Sequence, residues 1–105
     1  MELKNIFELI PDNLDEEVFE ILAQSKTVKI ERIISKGHTS PESGWHDQER
    51  NEWVIVLQGE AIISFENGKE INLKAGSHVN IPSHKKHKVR WTNPKIETIW
   101  LAIHY

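Results

Sequence analysis

Six histidines, His38, His46, His78, His84, His87 and His104, stand out as the side chains best suited to chemistry in this 105-residue sequence. The chain has no cysteine, so disulfide scaffolds, zinc ribbons, thiolate nucleophiles and iron–sulfur clusters are excluded. Any metal must be held by imidazole, carboxylate or amide oxygen, donors that suit a borderline divalent ion. His87 is the most informative of the six. Lys86, Lys88 and Arg90 alternate with His87, Val89 and Trp91, the period of a strand with one wet face and one inner face. That alternation predicts His87 on the inner face. One imidazole makes no site, so further donors must be brought to it by the fold. The alternative is a hydrogen-bonded core histidine.

The elements that must do this read differently in the two parts of the chain. Leu14, Val18, Ile21 and Leu22 have helical offsets, and Asp15, Glu16 and Glu17 would occupy a first turn where the helix dipole favours negative charge. The spacing predicts a helix near 13–24. Ile6, Phe7, Leu9 and Ile10 before it are apolar enough to be expected to pack on the rest. From Thr27 onward, runs of Val, Ile, Phe and Trp are broken by Gly, Pro, Asn and Ser, predicting strands near 27–35, 52–58, 60–66, 70–74, 77–81, 86–92 and 96–104. Asn67-Gly68 is a hairpin turn by type. Short strands with tight turns point to an antiparallel sandwich or barrel. Within Trp53-Val54-Ile55-Val56-Leu57 both parities are apolar, so both faces of that strand should be buried, one in the barrel and one under the N-terminal segment or a second copy. The reading is of an N-terminal segment and helix, 1–26, packed on a barrel, 27–105.

Composition narrows the partners. Lys plus Arg is 13 against Asp plus Glu at 16, a formal charge of −3, which argues against a nucleic-acid surface. No run approaches the roughly 18 apolar residues of a membrane span, and the start of the chain lacks the pattern of a secretory signal. A cytoplasmic protein is expected.

Two spacings then become specific. Glu52-x6-Gly59, and Gly76 followed by Pro82 and His87, resemble the two halves of the cupin barrel signature. His46 and Gln48 fall where the first motif has its two histidines. Ser40 stands for that motif's leading glycine, His84 for the second motif's inner glycine and Trp91 for its terminal asparagine. The resemblance covers residues 27–104 and is to small single-domain bacterial cupins, including a subgroup with Asp47-Gln48 through Glu52-Trp53-Val54 and a related N-terminal helix. It implies an all-β antiparallel barrel or jelly roll with one short N-terminal helix. It also implies a divalent metal ion (Fe, Mn, Ni, Zn or Co) held by His46, Gln48, Glu52 and His87. His46, Gln48 and Glu52 share one parity, so an extended segment would point all three the same way. Gln48 would either ligate through its neutral amide oxygen or orient a ligand. Val54, Val56, Val89 and Trp91 share parity with Glu52 or His87 and are expected as apolar walls, with His84 and His104 as further lining groups. His84, His78, His38 and His104 have a plainer reading as surface or structural residues.

The implied function is a metal-binding cupin acting on a small oxygen-containing organic molecule, with dioxygenase, isomerase and lyase chemistry all open. The alternative is a non-catalytic small-molecule-binding module. The apolar outer parity of Trp53, Ile55 and Leu57 makes a homodimer the expected assembly.

Overall fold

The computed structural model describes residues 1–105 and is all β, without a helix. Its strands are β1 (Val18–Gln24), β2 (Lys29–Ser35), β3 (Glu52–Gln58), β4 (Glu60–Phe65), β5 (Glu70–Lys74), β6 (His78–Ile81), β7 (His87–Thr92) and β8 (Thr98–His104). They form a five-stranded sheet in the order β1-β2-β8-β3-β6 facing a three-stranded sheet in the order β5-β4-β7. All pairings are antiparallel. Alternation decides what is enclosed. Val54, Val56, Trp100, Ala102 and Ile81 of the larger sheet meet Ala61, Ile63, Phe65 and Leu73 of the smaller one in a single core.

The helix expected at 13–24 is not there; most of that stretch is β1. Val18, Phe19 and Ile21 are good strand formers, and an isolated helix of this length is marginal in water. Pairing with β2 decides the outcome, because it satisfies backbone groups that an edge strand would leave open. It also places Glu20 opposite Arg32. Arg32 is only 4% exposed and needs that carboxylate. Its remaining donors reach the carbonyl oxygens of Ile6, Glu8 and Leu9, which fasten the N-terminal segment over the outer face of the larger sheet. The expected packing of that segment is therefore made largely through its backbone. Ile34 and Ile99 on the outer face are buried, and Trp53, Ile55 and Leu57 are half-buried. Exposed apolar side chains remain on the free edge strand (Phe19, Ile21 and Leu22) and on the N-terminal segment, where Phe7 and Leu9 do not pack as expected.

Two turns control the geometry near the site. Gly59 joins β3 to β4 at φ 90°, and a Cβ there would stand 2.4 Å from Thr98 Oγ1 and 2.6 Å from Thr98 Cα, so only glycine fits. The turn between β6 and β7 carries His84 at φ 63°, a conformation that L side chains rarely adopt. The inner glycine of the cupin motif would occupy this place without strain.

Candidate functional site

Between the sheets, open at one end, lies a cavity of about 660 Å³. Its apolar walls include Val54, Ile63, Ile81, Val89 and Trp100. Its polar side is built from three pieces of chain. Glu52 opens β3 and is half-buried. His87 opens β7 and is buried, on the inner face as its alternation predicts. His46 and Gln48 come from the long segment between β2 and β3. That segment is irregular, so strand parity does not place them. A local two-way backbone pairing does: His46 N–H donates to His87 O at 2.8 Å, and His87 N–H donates to His46 O at 3.2 Å. Loop and strand are thereby locked side by side, with the two imidazole centroids 5.7 Å apart.

Glu52 is the centre of the cluster. Gln48 Nε2 donates to Glu52 Oε1 at 3.1 Å, and His87 Nε2 stands 3.5 Å from the same oxygen. Burial alone would push the Glu52 pKa up, but the His87 hydrogen bond, the nearby charge of His104 and the Gln48 amide hold it below the usual 4.5. Burial likewise would pull His87 down, yet the Glu52 carboxylate and the Lys85 carbonyl raise it above 6.5. The contact of His87 Nδ1 with Lys85 O, 2.8 Å, fixes the ring. With a proton on Nδ1, Nε2 of neutral His87 presents a lone pair to the Glu52 carboxylate. Two acceptors face each other there, an arrangement that calls for either a shared proton or a cation.

The donors expected to bind a metal thus gather at one end of the cavity, and all four line it. Their chemistry fits a divalent ion: two imidazoles, an ionised carboxylate and an amide. Only Glu52, Gln48 and His87 are drawn tightly together. His46 is exposed, with Nε2 3.3 Å from Ser40 Oγ, and no three imidazole or carboxylate groups converge closely enough to clasp an ion as they stand.

The lining residues expected from parity divide. Val54, Val89 and His104 line the cavity. Val56 is wholly buried in the core behind it. Trp91 turns away, because β7 bulges opposite β4: Val89 pairs with Ile63 and Trp91 with Ile62, so Arg90 is an extra residue that reverses the alternation. Thr92 then faces inward, buried against Ala61, and the large cavity aromatic is Trp100. His84 is on the surface, 65% exposed, paired with Asp47.

Glu31 was not anticipated. It lies on β2 beside β8, buried, and His104 Nε2 meets Glu31 Oε1 at 3.1 Å. His104 lines the cavity, and its Nδ1 makes no hydrogen bond to the protein. The available signal was an acid sharing parity with Ile33 on a strand.

Comparison with known proteins places these features. The sequence pattern described as Cupin domain matches residues 31–104. The crystal structure of a candidate mannose-6-phosphate isomerase from Ralstonia eutropha JMP134 superposes with a TM-score of 0.94 at 37% identity, covering 99% of this chain and 97% of that one. A cupin superfamily protein from Desulfitobacterium hafniense DCB-2 gives 0.74 at 24% identity, covering 90% and 82%. The iron(II) form of HppE gives 0.73 at 19% identity, covering 91% of this chain and 53% of that one, a likeness of fold alone. A search of curated proteins gives no match.

Proposed function

Because the chain belongs to the cupin family, we propose that its barrel cavity binds a small oxygen-bearing organic molecule, with a divalent metal ion held by His46, Glu52 and His87 and supported by Gln48. The observation that carries this reading is the ionised Glu52 carboxylate facing His87 Nε2 at 3.5 Å on the wall of a cavity large enough for a small sugar or keto acid. An ion bound there would polarise a carbonyl or stabilise an enolate. The chain's own residues do the rest. Val54, Ile63, Val89 and Trp100 exclude water from one side of a ligand, and Glu31 orients His104 so that Nδ1 is free to bond a ligand hydroxyl or carbonyl. Isomerisation is the reaction to try first, given the 37% identity to the candidate isomerase of Ralstonia eutropha.

The test is metal analysis of protein purified without an affinity tag, alongside a His46→Ala/His87→Ala double variant. The wild type should retain Fe, Mn, Ni, Zn or Co that the variant lacks. Equal metal content would reject the centre. A second reading, a binding module that needs no metal, has its own support: Gln48 and His87 already satisfy Glu52, and the donors do not converge. Ligand affinity that survives a chelator would select it.

The assembly we propose is a homodimer that covers the free edge of β1, where Phe19, Ile21 and Leu22 are exposed and no lysine or proline interrupts the strand. Sedimentation as a monomer at micromolar concentration would reject it.

A further inference from the structure

The cavity has a second polar end that the proposed metal centre does not use. Lys29 opens β2, half-buried, and lines the cavity. Arg50 lines it too, and its Nη2 donates to Lys26 O at 3.1 Å, which tethers the guanidinium beside the turn leading into Lys29. Several other cations over the barrel have partners, whereas Lys36, Lys69, Lys74 and Lys95 make no ion pair and do not line the cavity. Arg32 pairs with Glu20, Lys86 with Glu66 and Arg90 with Glu70, while Lys88 sits 4.3 Å over the Trp45 ring. No carboxylate stands within 4.0 Å of Lys29 or Arg50. The acids sharing the lining are mostly engaged: Glu17 with the Ser35 hydroxyl, Glu31 with His104 and Glu52 with His87. Glu49, exposed on the same rim, makes no ion pair.

Strand register sets the distance between the two ends. Lys29 pairs with His104, and His104 pairs with Glu52, so the three stand in one row across β2, β8 and β3. Two strand spacings separate the first from the last, about 10 Å between backbones. A molecule of three to six carbons bridges that gap once side chains reach inward.

We propose that Lys29 and Arg50 form a subsite for the anionic group of the ligand, a carboxylate or a phosphate. The inference rests on the reading of the cavity as a small-molecule site, and it does not depend on the metal. Neither cation has a carboxylate within 4.0 Å, so each is free to donate charge-assisted hydrogen bonds to an anion in direct contact. The other end of the same ligand then meets His104 Nδ1 and the Glu52–His87 pair.

The experiment titrates wild type and a Lys29→Gln/Arg50→Gln variant with two matched pairs of probes, read by calorimetry. Mannose 6-phosphate against mannose tests phosphate, and pyruvate against methyl pyruvate tests carboxylate. Each titration is run with manganese and with a chelator. Wild type should prefer at least one charged probe over its neutral counterpart by about tenfold or more, with the preference shrinking as salt rises. The variant should lose that preference while keeping the wild-type melting temperature and the wild-type affinity for the neutral probe. Which pair shows the effect identifies the anion. Equal affinity of wild type and variant for the charged probes, or no binding of either charged probe to wild type, overturns the subsite. A charge preference that persists in the chelator, together with equal metal content in wild type and the His46→Ala/His87→Ala variant, overturns the metal centre and leaves the subsite standing.

Discussion

His84 Nδ1 and Asp47 Oδ1 meet at 2.7 Å, joining the turn between β6 and β7 to the loop that carries His46 and Gln48. The same turn donates His84 N–H to Gln48 O at 2.8 Å and Ser83 N–H to Asn51 Oδ1 at 2.9 Å. Three bonds therefore hold the loop against the mouth of the barrel. Two of them come from His84, whose backbone lies at φ 63°. Strain kept beside a site is worth testing for what it holds in place.

Replacing His84 with glycine removes the strain and the Asp47 contact together, whereas alanine removes the contact and keeps the strain. The glycine variant should be the more stable of the two by about 1 kcal/mol, measured as a difference in urea unfolding. Equal stability would mean that the left-handed backbone costs nothing here.

The Glu52–His87 pair gives stability a defined pH window. The folded His87 pKa lies above 6.5, so its contribution is complete below 6.5 and is lost as pH rises through the folded value. The folded Glu52 pKa lies below 4.5, so its contribution is present above 4.5 and is lost as pH falls through the folded value. Melting temperatures of metal-free wild type and Glu52→Gln, compared from pH 4 to 9 (roughly the span over which acids and imidazoles titrate), should differ most between those limits. A constant difference across the range would contradict the pairing.

Gly59→Ala drives a Cβ into Thr98 at a backbone φ that alanine tolerates poorly. A loss of about 2 kcal/mol or more is expected, enough to lower the melting temperature of a domain this size by roughly 10 °C. Gly68→Ala, at the same φ with nothing nearby, should cost less. Similar losses in the two variants would show that backbone strain outweighs the clash.

Arg32→Met removes a buried charge that binds Glu20 and three carbonyls of the N-terminal segment. We expect about 2–4 kcal/mol of destabilisation, because the carbonyls and the Glu20 carboxylate lose their donor. Proteolysis within residues 1–10 should accelerate before the rest of the chain unfolds. Unchanged protection of that segment would mean that Ile6 and Ile10 hold it by packing alone.

Much of this molecule was legible in the sequence wherever one local rule decided the outcome. Period-two patterning located β2 through β8 to within a few residues, since each strand alternates against one core. It also put His87 inward, and the spacings Glu52-x6-Gly59 and Gly76 to Pro82 to His87 marked the ends of strands that deliver donors to the cavity. Three features could be settled only by tertiary structure. Residues 18–24 satisfy helical and extended periodicities alike, and β2, with its buried Arg32, needed an edge partner carrying Glu20. Trp91 left the cavity because a single extra residue in β7 inverts every face after it, a defect that exists only relative to β4. Glu31, Lys29 and Arg50 reached the cavity rim through pairing across β2, β8 and β3 and through a loop tether. Lys29 and Glu31 share one face of β2, but His104, Glu52 and Arg50 are far from them in sequence, and no local pattern could have joined those to the pair.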